Sequence, residues 1–412
     1  MIHFFRQKHP YLTVVLVFVV VLVLGLAQLG STVNPVPRNL PVLLVQQDAG
    51  AKTPAGDIDY GKLIADKLTA SKAPNGGDNP LEWQTAESEE AAVDAMNHQK
   101  AYAALVIPAD FSAKLASLLS PEPHSASVAL YINQGMNYNG ATMTSGILTQ
   151  MINGASAQIR AEMLAAVDKQ GGTLTAAQTA ALAVPIDAAI SNINAVGANS
   201  SNGNAPVVLT QLVWFGAMVS TMMLFIAANK ATQTGSRRHR LGIRVSQIVM
   251  GAVATGAASL SILVIAGQWF GLDIPDYSSV GLFMFFAGFM FFLLQTMIVS
   301  WLGFAGVPLF VLVFFFGAPV LSLPSQLLPA FSHHFLYSWL PLRFSVEGLR
   351  DLFYFDGGPN LSEPSWTLAM IGIAGAGLIL LSVLKKQAIA APASNARAED
   401  GSMTNAAASD GI

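Results

Sequence analysis

The sequence has no cysteine and little charge. None of its 412 residues is cysteine, which excludes disulfide frameworks, zinc sites built from cysteine and thiol catalysis. Charged residues make up 11% of the chain, whereas soluble domains carry about 25%. Hydrophobic residues reach 53%, and the mean hydropathy is positive. This composition predicts an integral membrane protein.

Motifs for catalysis are also missing. The sequence contains no Gly-x-x-x-x-Gly-Lys-Ser/Thr motif, so the chain is not expected to bind nucleotide phosphates in a P-loop, and it contains no His-Glu-x-x-His zinc motif. His333 and His334 are adjacent, whereas zinc ligands on a helix face are spaced i, i+4. We therefore predict no catalytic residue, no metal site, no cofactor and no nucleic-acid partner, and hence a protein that is not an enzyme.

Long apolar segments are what the sequence has in abundance. A helix needs about 20 apolar residues to cross a bilayer, because the hydrocarbon core is about 30 Å thick and each residue rises about 1.5 Å. Residues 277–342 form one uncharged run, and Gly and Pro in WLGFAGVP predict a tight hairpin within it. Six spans are predicted, at residues 11–29, 206–228, 245–270, 279–300, 304–323 and 366–384.

The first segment has an alternative interpretation as a cleaved signal peptide. Its apolar stretch reaches Leu26, whereas the apolar region of a signal peptide runs about 7–15 residues. This length favours a retained membrane anchor.

The positions of Lys and Arg predict the orientation, because short loops rich in these residues stay in the cytoplasm. Arg6 and Lys8 precede the first span, and Lys385 and Lys386 follow the last. With six spans, both pairs fall on the same side as a cluster after the second span, consisting of Lys230, Arg237, Arg238, Arg240 and Arg244. We therefore predict a bacterial-type plasma (inner) membrane protein with both termini cytoplasmic. The cluster needs no role beyond orientation.

The insert after the first span, residues 34–205, is the only part polar enough to fold in water. It carries fifteen Asp or Glu against nine Lys or Arg. The strand patterns LPVLLVQ, LEWQTA, AYAALVI and ASVALYIN alternate with helical patterns, which predicts an extracytoplasmic α/β domain with helices covering the sheet.

Local signals add detail to this domain. Asp57 and Ser88 are predicted helix caps, and Leu63, Ile64 and Leu68 are predicted to share one buried helix face. Residues 139–168 and 175–196 predict two longer helices that lead back to the membrane. Residues 387–412, rich in Ala, Ser and Asp, predict a disordered cytoplasmic tail.

Several motifs in order carry a family resemblance. NLPVLLVQQDAG, AYAALVIPADFSAKL, NGNAPVVLTQLVWFGAM and LPLRFSVEGLRD are similar to the ectodomain opening, the strand–Ile-Pro–helix module, the entry to the second span and the stretch before the last span in ABC-2-type permeases. The chain resembles this superfamily over nearly its whole length, specifically the branch around the YhgE/Pip group. Gln46 and Gln47 depart from the pattern, and the insert lacks the extended coiled coil of the longest members.

The resemblance implies a fold and a function. The fold is an α-helical polytopic membrane protein with six transmembrane helices and an α/β domain inserted between helices 1 and 2. The four parts are residues 1–33, 34–205, 206–386 and 387–412, with a re-entrant external segment at 324–364. The implied function is that of an exporter permease surrounded by membrane lipids, working as a homodimer with a separate P-loop ATPase. Residues 229–244 would then form the loop that contacts the ATPase.

A second group of charges lies in the external segment. If RFSVEGLRD is helical, Arg343 and Glu347 are spaced i, i+4, and Glu347 and Arg350 are spaced i, i+3, with Asp351 alongside. The four side chains are then placed to pair with each other. A salt-bridge cluster that holds the helix at the membrane surface and an external gate are both consistent with this spacing. Tyr337, Trp339, Phe353 and Tyr354 suit an interfacial aromatic belt.

Two other functions remain open from the sequence. A membrane-anchored receptor or assembly module needs only the external domain and a tether, although five spans beyond the anchor exceed that need. A carrier driven by an ion gradient usually has ionisable residues within the membrane, and none of the six predicted spans carries Asp, Glu, Lys or Arg. Lipophilic or amphipathic compounds are the predicted cargo, because the spans are uncharged and rich in Phe and Met.

Overall fold

The computed structural model describes residues 36–53, 56–70, 79–169, 171–232, 236–355 and 363–385, together with Phe18, Leu22 and Gly25. These three single residues are helical. The rest of the predicted first span and the predicted C-terminal tail lie outside the described residues, as do Arg6, Lys8 and Lys386.

The α/β domain is built from short strands and mostly short helices. Its elements in chain order are β1 (Leu40–Gln46), β2 (Ala51–Thr53), β3 (Gly56–Ile58), α1 (Tyr60–Ala70), β4 (Leu81–Thr85), α2 (Glu89–Asn97), β5 (Ala103–Ile107), α3 (Phe111–Ser117), β6 (Ala126–Asn133), α4 (Tyr138–Lys169), α5 (Ala176–Ala183) and β7 (Ile186–Ile193).

A mixed sheet of five strands, in the order β4-β1-β5-β6-β7, forms the centre of the domain. β1 pairs in parallel with both β4 and β5, β6 pairs in parallel with β7, and β5 and β6 are antiparallel. β2 and β3 form a separate antiparallel hairpin. The four predicted strands are all present in the sheet.

The fifth strand, β7, corrects a prediction. Residues 175–196 were expected to form one long helix, but the helical part ends at Ala183 and Ile186–Ile193 pair with β6 instead. Pro185 explains the break, because proline disfavours helical geometry at the preceding residue, here Val184. The first long helix is confirmed as α4, which has 32 residues.

Both faces of the sheet are buried, so the core has two sides. Leu44 and Leu105 pack on one side among residues of α1, α3, α4 and α5. Val45 and Val106 point to the other side and pack against Met96 of α2. All five residues of β5 are buried, which confirms the interpretation of AYAALVI as an interior strand.

One of the two predicted helix caps is confirmed and the other is wrong. The side chain of Ser88 accepts a hydrogen bond from the backbone of Ala91 at the start of α2, as predicted. Asp57 lies in β3 and does not start a helix; Asp59 does, accepting from the backbone N–H of Lys62 at 2.7 Å. Ile64 and Leu68 are buried, whereas Leu63 is 62% exposed, because it falls one residue outside their shared face.

Asp48 joins the ends of two helices to the sheet. Its carboxylate accepts hydrogen bonds from the backbone N–H of Gly61 at 3.0 Å and of Ser112 at 2.9 Å, and from the Ser112 hydroxyl. Burial raises the pKa of Asp48, but these hydrogen bonds outweigh it and leave the pKa below its usual value of 3.8. The charged carboxylate therefore stabilises the folded domain.

The substitution Asp48→Asn is expected to lower the free energy of unfolding by about 1.5–3 kcal/mol, the range for hydrogen bonds to charged groups. Because the folded pKa is depressed, this stabilisation is present above pH 3.8 and is lost as the pH falls through the folded pKa. Thermal melts of the detergent-solubilised full chain, followed by circular dichroism, measure both effects. Asp66→Asn, at an exposed position of α1, is the control. If Asp48→Asn were as stable as this control, Asp48 would not stabilise the domain as described.

Four helices in the described residues are long and apolar enough to cross a membrane: Ala205–Thr232, Arg237–Trp269, Tyr277–Ser322 and Pro364–Leu384. The first is α6. The others contain, in order, α7 (Arg237–Val264) with a π-helical turn (Ile265–Trp269), α8 (Tyr277–Leu302) joined through a 3₁₀ turn (Gly303–Gly306) to α9 (Val307–Ser322), and α12 (Glu363–Leu381) with a 3₁₀ turn (Ser382–Leu384).

The contacts of α6 show that the chain reverses between α8 and α9. Along α8, Phe291 contacts Trp214 and Thr296 contacts Thr221, so α8 runs in the same direction as α6. Along α9 the order is opposite, because Phe304, just before the helix, contacts Phe225 edge-to-face while the ring of Phe314 contacts that of Phe215.

This reversal matches the predicted hairpin in the third of the apolar helices. α9 has 16 residues and is therefore roughly 24 Å long, less than the hydrocarbon thickness of about 30 Å. A separate fifth crossing accordingly stays a prediction.

Glycines allow the membrane helices to approach closely. A Cβ added at Gly372 or Gly375 of α12 would meet Met290 or the backbone of Leu293 in α8, whereas one added at Gly377 would meet open space. Two of the three glycines in GIAGAG thus allow α12 to pack closely against α8 within the chain.

Candidate functional site

A helix with one apolar and one charged face carries the predicted external cluster. After α9 the chain forms a 3₁₀ turn (Ser325–Leu327), α10 (Ala330–Phe335), a second 3₁₀ turn (Tyr337–Trp339) and α11 (Pro341–Tyr354). Pro341 suits the first turn of α11, where its missing N–H costs nothing. Leu342, Val346, Leu349 and Phe353 are buried on one face. The opposite face therefore presents Arg343, Glu347, Arg350 and Asp351, which are all half-buried.

A polar cleft lies between this charged face and the α/β domain, with a volume of about 170 Å³. The membrane part contributes Tyr337, Arg343, Glu347 and Arg350 to its lining, and the domain contributes residues that the sequence analysis did not single out, namely Gln99, Tyr102, Met136 and Asn137. Val346 of α11 also lines it, and the remaining lining residues come from the end of α9 and the following turn. The predicted charge cluster is thus half of a site whose other half lies more than 200 residues earlier in the chain.

Direct hydrogen bonds hold the two halves together. The amide of Gln99 donates to the carboxylate of Asp351 at 3.2 Å, and the hydroxyl of Tyr102 donates to the side chain of Gln326 at 3.3 Å. The side-chain amides of Asn137 and Asn139 both donate to the carbonyl of Ser322, at 3.4 and 3.1 Å. The domain is therefore anchored on the end of α9 and on α11.

The Arg343–Glu347 pair is confirmed, with Nε and Oε1 3.8 Å apart. Glu347 also accepts a hydrogen bond from the hydroxyl of Tyr337 at 3.0 Å. The guanidinium of Arg343 lies 5.0 Å from the centre of the Tyr337 ring and 4.7 Å from that of Phe344, within reach of cation–π attraction. Even so, Arg343 Nε is buried and has no hydrogen-bond partner among the described residues.

The second predicted pair is wrong. Among the described residues Glu347 forms no ion pair with Arg350; its Oε1 atom contacts Arg343 and Tyr337 instead. Among the described residues Arg350 has no carboxylate partner at all. Asp351 is bound instead by Gln99, and burial raises its pKa although that hydrogen bond opposes the shift.

The charge of Arg350 acts on three tyrosines. Burial raises the pKa of Tyr102 far above its usual range and raises the pKa of Tyr337 and of Tyr354 to about 12 in each case; the positive charge of Arg350 opposes all three shifts. At neutral pH these phenols are protonated and can donate hydrogen bonds. The hydroxyl of Tyr354 is buried and has no partner among the described residues.

Three members of the expected aromatic belt are turned inward. Phe353 is only 9% exposed and packs in the core of the membrane bundle, and Tyr337 and Tyr354 pack against that core. Trp339, at 50% exposed, is the one that suits the membrane surface. The belt prediction fails for Phe353 because it lies on the apolar face of α11.

The basic cluster lies at the other end of the bundle. α6 leaves the domain at Ala205 and reaches Lys230 in its last turn, and 25 residues of helix span roughly 38 Å. Lys230, Arg237 and Arg238 are exposed, Arg240 is half-buried, and Arg244 is buried and donates to the side chain of Gln247 at 2.7 Å.

The predicted loop at 229–244 is mostly helical, which corrects its extent. α6 continues to Thr232, and α7 begins at Arg237 after Ser236, whose side chain accepts from the backbone of His239. Lys and Arg are good helix formers, so the charges do not end either helix. Arg244, assigned to the loop, thus lies inside one of the four membrane-spanning candidates.

No group of three or more His, Asp or Glu in the described parts of the chain is arranged to hold a metal ion. His333 and His334 lie next to each other in α10, with their ring centres 5.1 Å apart.

Long apolar helices packed into a bundle, with an α/β domain bonded to one end of it, define a polytopic membrane protein. The family described as "Protein of unknown function (DUF3533)" matches residues 10–362. The chain belongs to this family.

A curated relative also matches part of the chain. The uncharacterized protein YhgE of Bacillus subtilis (strain 168) is 28% identical over 104 residues, which are 25% of this chain and 12% of the relative. The chain thus covers only a small part of that longer protein. No solved structure matches the chain.

Proposed function

We propose that the chain is the permease subunit of an ABC-2-type exporter, which moves lipophilic or amphipathic compounds outward as a homodimer with a separate P-loop ATPase. The observation that carries this proposal is the separation of two polar features at opposite ends of one helix bundle. The exposed cations Lys230, Arg237 and Arg238 lie at one end, and the cleft with the α/β domain lies at the other. A transporter needs a coupling surface on one side and an exit on the other.

The position of the cations supports a role in docking as well as in orientation. Arg237 and Arg238 occupy the first turn of α7, where the helix dipole is positive and a cation costs about 0.3–1 kcal/mol. Helix stability therefore disfavours arginine here, and an external reason is needed. Both the positive-inside rule and an acidic partner surface supply one.

The interior of the bundle favours transport over a simple tether. Thr221 of α6 lies 3.3 Å from the hydroxyl of Thr296 and 3.5 Å from Gln295 of α8, and the amide of Gln295 donates to the backbone of Trp214. These side chains are fully buried. Helices that only anchor an external domain do not need such a polar network between them.

The test reverses the exposed cations. In the double variant Arg237→Glu, Arg238→Glu, we expect co-purification with a Walker-motif ATPase and ATP-driven efflux from proteoliposomes to be lost, in each case by at least about tenfold, as for the loss of charged contacts at an interface. α7 itself is expected to remain folded, because glutamate is favoured at a helix N-terminus.

The matched control reverses two exposed cations at the other end, Lys62→Glu and Lys169→Glu in the α/β domain. We expect ATPase binding and efflux to be unchanged in this control. Efflux that is collapsed by an ionophore and does not need ATP would favour an ion-gradient carrier instead. Lack of any efflux with a bound external ligand would favour a receptor.

A further inference from the structure

The cleft between the α/β domain and α11 has more hydrogen-bond donors than the protein itself satisfies. Arg350 lines the cavity without a carboxylate partner among the described residues. In the same neighbourhood Arg343 Nε is buried without a hydrogen-bond partner. A buried donor without an acceptor is costly, most of all in a charged group. Arg350 is only half-buried and lines the cavity, so an acceptor bound there would pair with its guanidinium.

The charges of the lining residues determine which charge the bound acceptor group should carry. Arg343 is balanced by Glu347, which leaves the guanidinium of Arg350 as the uncompensated charge of the lining. The hydroxyls of Tyr102 and Tyr337 are already used, because they donate to Gln326 and Glu347. The amide of Gln99 donates once to Asp351 and has a second N–H, which adds to the donors of the Arg350 guanidinium. A group with one negative charge and several acceptor oxygens, such as a carboxylate or a phosphate ester, matches these donors.

The size of the cavity limits how much of a ligand it holds. Sites that bury a whole drug-sized ligand have volumes of about 300–1,000 Å³, whereas this cleft has about 170 Å³. It therefore has room for a headgroup but not for a large apolar body. Leu321 at the end of α9, the adjoining Leu323 and Val346 of α11 also line the cleft, so part of its wall is apolar.

We propose that this cleft binds the anionic headgroup of an amphipathic molecule, with Arg350 as its main contact and the apolar tail directed along the membrane helices. The inference builds on the proposed export function by naming the class of compound at its external site. Binding itself requires neither ATP nor a partner subunit.

The experiment measures binding to the full chain in maltoside micelles by isothermal titration calorimetry, without nucleotide. The probes are octyl phosphate, inorganic phosphate and uncharged octanol. We expect octyl phosphate to bind, Arg350→Gln to weaken this binding at least about tenfold, and Arg350→Lys to retain more of it, because one charge-assisted contact corresponds to a tenfold change or more. Lys62→Gln, which replaces an exposed cation that does not line the cleft, should have no effect.

A second variant gives a change of opposite sign, which misfolding cannot imitate. Glu347→Gln removes the competing carboxylate and frees Arg343, so octyl phosphate should bind several-fold more tightly. Unchanged or weaker binding in Glu347→Gln, or equal binding by wild type and Arg350→Gln, would overturn the proposal. Equal affinity for inorganic phosphate and octyl phosphate would overturn the amphipathic assignment. ATPase docking is tested at the other end of the bundle, so the two proposals can fail separately.

Discussion

Gly251→Leu is expected to disrupt the packing of α7 against α8 and to cause a large loss of stability. A Cβ at position 251 would lie 1.9 Å from the ring of Phe292, and that ring is completely buried. Inserting extra carbons into a packed core usually costs about 1–3 kcal/mol, and more where neighbours cannot move. We therefore expect a loss of about 3 kcal/mol or more, seen as a lower midpoint in thermal melts of the solubilised chain.

Two controls test the mechanism. Gly242→Leu places the same side chain on the same helix where nothing lies within 4 Å, and should leave the midpoint close to that of wild type. Adding Phe292→Ala to Gly251→Leu should restore part of the lost stability, since the leucine then fills the space of the ring. A midpoint for Gly251→Leu equal to that of Gly242→Leu would show that the two helices are not packed as described.

Helices and strands could be predicted from the sequence wherever one local run of residues is enough to define the element. Each of the four predicted strands is a short apolar run with clear breakers, and the described membrane helices coincide with apolar runs of 16 residues or more. β7 was missed because the three Ile residues of IDAAISNI are spaced i, i+4, i+7, which is a helical and not a strand pattern. Its strand form depends on pairing with β6 along all eight residues, which is a tertiary effect.

The charged face of α11 could also be predicted, but the site built on it could not. The spacing of Arg343 and Glu347 is local and determined their pairing. The contact of Asp351 is set by a residue of the α/β domain, and Gln99 and Asp351 are 252 positions apart. Helical periodicity carries no information about such a contact. Gly140 is a local signal of the contact between the domain and the membrane part, because a Cβ at this position would collide with Tyr102 and Pro324.

Cysteine labelling in intact cells is expected to give an all-or-none result for the orientation. Because the natural chain has no cysteine, each introduced cysteine reports one position without background. Glu122→Cys lies at an exposed position of the α/β domain, and His239→Cys lies at an exposed position in the first turn of α7. These two positions are at opposite ends of α6, which is long enough to span the hydrocarbon core of about 30 Å.

A membrane-impermeant maleimide should label the cysteine at 122 in intact cells and leave the cysteine at 239 unlabelled, because the cations near 239 are retained in the cytoplasm. Both positions should react after permeabilisation, which controls for local access. The same labelling is repeated in the double variant Arg237→Glu, Arg238→Glu. An unchanged labelling pattern would show that this variant loses the ATPase because the docking surface is changed. An inverted pattern would show that the variant loses the ATPase because the whole chain is inserted in the opposite orientation. Labelling of position 239 but not of 122 in intact cells of the natural background would place the cleft in the cytoplasm and remove the basis for outward transport.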